Sequence, residues 1–297
     1  MVSKKLVFVT GSSGQLGLSI KKIVKKKRSR DLLFNFFTKK DLNITNKDSF
    51  EILKQDPSYL INCAAYTNVN EAETDKDNCF KINYYGVKNL VEYCNTVNCK
   101  LIQISTDYVF DGASKDGYYE DAETSPLNIY GISKKMAEEY ILKNSNNFQI
   151  IRTSWVYSEF GRNFVKTVIE SLLNKKNLKL ICDQYGCPTY APELANYIIL
   201  NHINGITHLN NGISHFSSME VKNWYEFGIN IYEAMIDEKK LHLNSNIEIK
   251  KIMTNEYSDS VIRPSNSVLR VRDQKEKLEL IHDKNSKILR EIIRNDY

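Results

Sequence analysis

The sequence predicts an α/β fold: a doubly wound parallel sheet with a smaller α/β cap toward the C-terminus. Three observations predict it. Short apolar runs alternate with helical patterns through the first half of the chain, which builds a parallel sheet covered by helices on both faces. A glycine triplet, Gly11, Gly14 and Gly17, follows the first apolar run and opens the first helical stretch. After Trp155 the alternation loosens, and helices mix with shorter strand candidates.

In chain order, residues 6–9 are the first strand and 14–27 the first helix. Residues 32–37 and 60–64 give the second and third strands. Between them, 48–55 reads as a short helix that Thr45 or Asn46 can cap with a side-chain oxygen. Across 79–94, Val87, Leu90, Val91 and Cys94 recur at i, i+3, i+4 and i+7, one apolar helix face. Residues 101–104 and 148–151 complete the strands of the first half. In the second half 163–173, 193–202, 223–235 and 275–294 read as helices, and 178–181 and 247–252 as strands. No Pro/Gly-rich linker or internal repeat divides the chain. The expected organisation is a nucleotide-binding unit over 1–155. Residues 156–297 then form a mainly substrate-binding region packed on it, with some segments returning to the first core.

The chain has 297 residues and a formal net charge of +5. No apolar run approaches the roughly 18 residues that span a bilayer. The apolar stretch before Gly11 is shorter than the roughly 7–15 residues of a signal-peptide core, so a cytoplasmic protein with no membrane partner is expected. The basic residues Lys21, Lys22, Lys25, Lys26, Lys27, Arg28 and Arg30 read as a helix end whose dipole favours cations. No aromatic or second basic element accompanies them, so no nucleic-acid partner is expected. The six cysteines form no C-x-x-C pair and the five histidines do not join them at ligand spacing. They read as reduced, small buried side chains, with no metal site.

The triplet has the spacing G-x-x-G-x-x-G. In a strand–turn–helix setting Gly11 permits the tight turn, Gly14 lets backbone N–H groups reach a pyrophosphate, and Gly17 lets helix and strand pack closely. The positive end of the helix then faces the phosphates. These are the marks of a Rossmann dinucleotide site. The second strand usually ends in an acid that holds the ribose 2′-OH. Here the place reads Phe37-Thr38-Lys39-Lys40, with no acid before Asp41. A hydroxyl and two lysines suit a 2′-phosphate, which favours NADPH, with NADH as the alternative.

Tyr130 and Lys134 stand at i and i+4 at the start of a helix, on one face. A nearby ammonium favours phenolate and would lower the tyrosine's pKa toward neutrality. Thr106 lies just past the end of the fourth strand, and carboxyl ends of strands are where open α/β sheets bind ligands. Trp155 follows a strand, where a large aromatic is more often core. Arg263 has the charge and fork geometry for a diphosphate.

These residues sit in longer blocks: Ser105-Thr106-Asp107-Tyr108-Val109-Phe110-Asp111-Gly112, Pro126-Leu127-Asn128-Ile129-Tyr130-Gly131 and Arg152-Thr153-Ser154-Trp155-Val156-Tyr157. Further blocks are Asn163-Phe164-Val165, Asp183-Gln184-Tyr185-Gly186-Cys187-Pro188-Thr189 and Arg263-Pro264-Ser265-Asn266-Ser267. Together they resemble the extended short-chain dehydrogenases, and within them the dTDP-4-dehydrorhamnose reductases, over nearly the whole chain. The resemblance implies NAD(P)H-dependent reduction of the C4 keto group of a nucleotide-activated 6-deoxy sugar, the dTDP-4-dehydrorhamnose to dTDP-L-rhamnose step. It implies that Gly14, Gln15 and Leu16 contact the pyrophosphate through backbone groups, that Asp41 and Leu42 border the adenine, and that Ala65, Tyr66 and Thr67 line the cofactor. Tyr130 would protonate the C4 oxygen, and Lys134 would hold the nicotinamide ribose. Thr106 would hydrogen-bond the reacting oxygen, with Asp107 beside it and Trp155 packed on the sugar.

The implied partners are a nucleotide-sugar substrate and a second copy of the chain as a homodimer. Some relatives bind magnesium between subunits through two glutamates; the matching places hold Ser19 and Pro192, against a metal-linked pair. Where the family's usual block is Gly-x-Tyr-His, this chain has Gly205-Ile206-Thr207-His208. Two other functions fit the same fold: a sugar-nucleotide epimerase or dehydratase, and a non-catalytic regulatory subunit resembling that of methionine adenosyltransferase. Retention of Thr106, Tyr130 and Lys134 together weighs against the second.

Overall fold

The computed structural model describes residues 4–27, 31–203, 212–242, 247–257, 261–272 and 285–297. Its strands are β1 (Lys5–Thr10), β2 (Leu32–Phe36), β3 (Tyr59–Asn62), β4 (Lys100–Thr106), β5 (Phe148–Thr153) and β6 (Val156–Tyr157). They continue as β7 (Leu178–Ile181), β8 (Tyr185–Gly186), β9 (Thr189–Tyr190), β10 (Gly212–His215), β11 (Lys222–Asn223) and β12 (Ile249–Ile252). The helices are α1 (Gln15–Lys27), α2 (Val69–Ala72), α3 (Lys76–Phe80), α4 (Gly86–Thr96) and α5 (Ile129–Asn144). The second half adds α6 (Phe164–Leu173), α7 (Ala191–Tyr197), α8 (Trp224–Asp237) and α9 (Asn285–Asp296).

Six strands form one parallel sheet in the order β10-β5-β4-β3-β1-β2. The chain leaves β1 for β2 on one side, then returns to β3 on the other. The carboxyl ends of β1 and β3 therefore bound the crevice where doubly wound sheets bind ligands. Thr10 pairs with Asn62, Asn62 with Gln103 and Thr106 with Thr153, so these ends line up along one edge.

The apolar run over residues 6–9 of β1 is unbroken because both faces of the sheet are covered there. Leu6, Phe8, Leu60 and Leu101 pack with Leu90 and Val91 of α4 and Ile141 of α5. Val7, Val9, Ile61 and Ile102 pack on the other face with Ile20 of α1 and with Leu194 and Ile198 at α7 and its π-helical extension Ile198–Ile203. A separate core joins α6, α8 and α9 through Val165, Ile169, Phe227, Ile231, Leu289 and Ile293. Burying each such side chain contributes roughly 1.5–3 kcal/mol.

Several elements differ from expectation. β10 was not foreseen: Gly-Ile-Ser-His at a sheet edge carries no apolar run. The 79–94 helix is α3 and α4 joined by a π-helical turn, Lys81–Tyr85, and Gly86 follows because a Cβ there would lie 2.8 Å from Ile44 Cδ1. The 48–55 helix is a 3-10 turn, Lys47–Ile52, capped by Asn46, which accepts from the Asp48 N–H. Of the helix over 275–294, residues 275–284 lie outside the described residues, as do Arg28, Arg30 and the 205–208 block.

Candidate active site

The three glycines differ in what holds them. Gly11 has φ +62°, and a Cβ would lie 2.6 Å from Ala64 Cα; a Cβ on Gly17 would lie 2.6 Å from Ser12 Cα. Both are demanded by the fold itself. At Gly14 the nearest neighbour is the Gly11 carbonyl oxygen at 3.4 Å, and the residue lines a cavity of about 580 Å³. Packing does not require that glycine. A bare backbone at the start of α1, facing open space, is a cradle that a side chain would narrow, and it fits a pyrophosphate.

Gln15 and Leu16 also line this cavity, as do Ala65 and Thr67 after β3. Gln15 has a second task, since its Oε1 accepts from Ser158 Oγ at 2.9 Å and Asn163 Nδ2 at 3.0 Å. It ties the glycine loop to the second half of the chain. Tyr66 lies outside the cavity wall, but Asn83 clamps its backbone at both ends. The Tyr66 N–H donates to Asn83 Oδ1 (2.8 Å), and Asn83 Nδ2 donates to the Tyr66 carbonyl (3.0 Å) and to Ser133 Oγ (3.0 Å). Asn83 stands in the π-helical turn, so that irregularity joins the loop after β3 to α5. Nothing in the sequence singled out Asn83, because its partners are a backbone and a serine far along the chain.

At the end of β2, Asp41 accepts from the Thr38 N–H (2.8 Å) and hydroxyl (2.7 Å), which holds its carboxyl below the usual range. The Thr38 proton is thus committed to Asp41, leaving exposed Lys39 and Lys40 as the cations at this end. Leu42 is buried in the core.

Thr106, Tyr130 and Lys134 meet in the cavity with Asp107. Asn128 caps α5, accepting from the Gly131 N–H at 2.9 Å. Gly131 lets the helix approach, since a Cβ there would lie 2.9 Å from Pro126 Cβ. Lys134 Nζ donates to the Ile104 carbonyl at 2.7 Å, and burial pushes the ammonium down to about 8. Burial also pushes the Tyr130 phenol well above its ordinary range, with a Thr106 hydrogen bond opposing. This corrects the expectation of an ammonium-lowered tyrosine: Lys134 is held by a carbonyl, and Tyr130 keeps its proton. Asp107 Oδ1 accepts from Thr106 (3.1 Å) and Oδ2 from Ser267 (2.5 Å); burial pushes this acid up to about 6.

Trp155 lines the cavity too. It holds φ +46°, a left-handed conformation that costs a bulky residue on the order of 1–3 kcal/mol. Stacking on Trp224, with ring centroids 3.5 Å apart, holds it there, and a Cβ on Gly186 would come within 2.6 Å of its Nε1. Arg263 is not in this wall. It borders an adjoining cavity of about 200 Å³ with Lys179 and Tyr257, which shares Phe164 and Trp224 with the first, and it donates to Asn70 Oδ1. Ser19 is buried and donates to the Gln15 carbonyl at 2.8 Å, while Pro192 sits in the first turn of α7.

A family described as the RmlD substrate binding domain matches residues 4–297. The dTDP-4-dehydrorhamnose reductase of Aggregatibacter actinomycetemcomitans is 36% identical over 89% of this chain and 90% of that protein. The spore coat polysaccharide biosynthesis protein SpsK of Bacillus subtilis (strain 168) is 34% identical over 89% and 88%. A crystal structure of dTDP-4-dehydrorhamnose reductase from Bacillus anthracis (strain Ames), in complex with NADP, superposes with a TM-score of 0.85 at 31% identity, over 97% of this chain and 98% of that one.

Proposed function

Because the chain belongs to the RmlD substrate binding domain family, we propose that it is an NADPH-dependent oxidoreductase that converts dTDP-4-dehydro-β-L-rhamnose to dTDP-L-rhamnose. The observation that carries the reading is the convergence of Thr106, Tyr130 and Lys134 on the cavity that Gly14 opens to. Relatives named dTDP-4-dehydrorhamnose reductase and a structural neighbour holding NADP support it.

Bound NADPH supplies the hydride for C4. Tyr130, kept neutral by burial, gives its phenolic proton to the C4 oxygen as charge develops there. Thr106, whose one hydroxyl proton rests on Asp107 in the free protein, turns that proton to the same oxygen when the sugar is bound. Lys134 keeps two ammonium donors for ribose hydroxyls after binding the Ile104 carbonyl. The backbone at Gly14, Gln15 and Leu16 receives the pyrophosphate, with Gly11 and Gly17 shaping the turn. Ala65, Tyr66 and Thr67 border the cofactor beyond β3. Asp41 and Leu42 border the adenine, and Thr38 and Lys39 face the 2′-phosphate.

Trp155 covers the sugar, and Arg263 beside Lys179 faces the diphosphate from the adjoining cavity. In this reading residues 1–155 hold the cofactor and 156–297 mainly hold the substrate, with β10 and α7 returned to the first core. The six cysteines are free and no described helix is long and apolar enough to cross a membrane, which supports work in the cytoplasm. A second copy of the chain is the macromolecular partner this reading admits, in a homodimer without magnesium held at Ser19 and Pro192.

The test is oxidation of NADPH and NADH against a panel of nucleotide-linked 4-keto-6-deoxy sugars, with the product identified by NMR. Turnover of the dTDP-4-keto sugar with NADPH is expected. Cofactor oxidation by no member of the panel would reject the reading.

A further inference from the structure

Behind the catalytic residues lies a buried charged cluster that the reaction as described does not use. Glu138 on α5 and Arg152 on β5 are each about 3% exposed. Arg152 forks onto the carboxylate, with Nη2 to Oε2 at 2.7 Å and Nε to Oε1 and Oε2 at 3.1 and 3.2 Å. Ser105, the residue before Thr106, donates its hydroxyl to Glu138 Oε1. Arg152 Nη1 donates to the Glu120 carbonyl at 3.1 Å, and its guanidinium lies over the Phe110 ring at 5.0 Å. His215 completes the cluster: Nδ1 lies 2.8 Å from the Arg270 carbonyl and Nε2 3.4 Å from Arg152 Nη1. The carbonyl assigns the ring proton to Nδ1, so Nε2 accepts from Arg152, and burial keeps this histidine neutral by pushing it down to about 3.

We propose that the Glu138–Arg152 pair is the positioning device for the catalytic lysine: Arg152 and Ser105 anchor the Glu138 carboxylate one helical turn beyond Lys134, near enough to balance the ammonium's charge but too fully engaged to capture it. The inference rests on the reductase reading, in which Lys134 must present its ammonium to the cavity. Residues at i and i+4 on one helix face ordinarily pair when oppositely charged. Lys134 and Glu138 have that spacing, yet Lys134 Nζ bonds the Ile104 carbonyl instead. The reason is occupancy. A carboxylate offers about four lone-pair sites, and the contacts from Arg152 and Ser105 fill them. The same carboxylate joins the three segments that carry the site: α5 with Tyr130 and Lys134, the end of β4 with Thr106, and the end of β5.

The groups around Lys134 are Tyr130 and Glu138 on its own helix, Cys79 from α3, Asp107 after β4, and Arg152 and His215 on the two strands beyond. Glu138 and Cys79 favour the ammonium, against the burial that pushes it down. Cys79 cannot take over from Glu138: a thiol holds charge only once ionised, and burial pushes the Cys79 thiol up.

The test follows the ¹³Cε resonance of Lys134 through a pH titration of the intact protein, assigned by its loss in Lys134→Met. Two variants are compared with wild type. Glu138→Leu/Arg152→Leu removes the pair as a pair, so neither partner is left behind as an unpaired buried charge. Its Lys134 should titrate about one pH unit lower, by loss of a near, poorly screened counter-charge. Arg152→Lys keeps a cation but lacks the fork. It should release Glu138 toward Lys134, raise the titration, and weaken NADPH binding several-fold. The titration needs neither substrate nor turnover, so its failure and a failure of the reductase reading are read separately. A Lys134 titration that stays at the wild-type value in either folded variant overturns the proposal.

Discussion

Tyr130 and Lys134 are shifted in opposite directions by the same cause, removal from water. The phenol stays protonated because burial disfavours phenolate. The ammonium, pushed down to about 8, is the first of the two to lose its proton as pH rises. The protonated form holds the ribose, so kcat/KM should be flat from about 6, where Asp107 takes up its proton, to about 8 and fall roughly tenfold per unit above it. A profile with no alkaline limb up to pH 10 would remove Lys134 from that task. At the other end of the cofactor, Thr38 is tied to Asp41, so discrimination falls to the lysines. Lys39→Asp should shift the kcat/KM preference from NADPH toward NADH, by removing a 2′-phosphate partner and supplying a ribose acceptor. Unchanged relative efficiencies would return Lys39 to the solvated surface. The tyrosine, lysine and threonine were legible in sequence because their chemistry is local to one helix and one strand end. Asn83 and the Glu138–Arg152 pair were not, because each gains meaning only from partners the fold brings to it.

At the scale of elements, the turn from β1 into α1 separates structural from functional glycine. Gly17→Ala places a Cβ 2.6 Å from Ser12 Cα and 2.7 Å from the Gly11 carbonyl oxygen, both backbone atoms with little room to yield. It should destabilise the fold by about 1–3 kcal/mol, seen as a lower Tm whether or not cofactor is present. Gly14→Ala meets no atom closer than 3.4 Å. It should leave the Tm of the free protein nearly unchanged and raise KM for NADPH at least several-fold. Equal effects of the two substitutions on Tm would show that both glycines are there for packing. The sequence spacing marked all three glycines alike, and only the contacts around each tell them apart. Strands were legible where burial is two-sided, as in β1, β3, β4 and β5. Legibility failed where a strand is four residues at an edge, as in β10, or where a helix continues through a π-helical turn, as at Lys81–Tyr85.

For the whole molecule, the site is assembled from both halves of the chain. Gln15 holds Ser158 and Asn163, Asp107 holds Ser267, and β10 closes the edge of the sheet beside β5. The division near residue 155 was suggested by the loss of strand–helix alternation. Some segments of the second half were expected to return to the first core, but no periodicity marked β10 and α7 as those segments. What the joined halves accomplish is delivery of one proton to one oxygen. Tyr130→Phe removes only the hydroxyl that does so, leaving Lys134, Thr106 and the glycine turn in place. Measured with NADPH and the dTDP-4-keto sugar, this variant should lose about 10²–10⁴-fold in kcat while its NADPH Kd and its Tm stay close to wild type. Turnover within a few-fold of wild type would contradict the account, because some other group would then be supplying the proton.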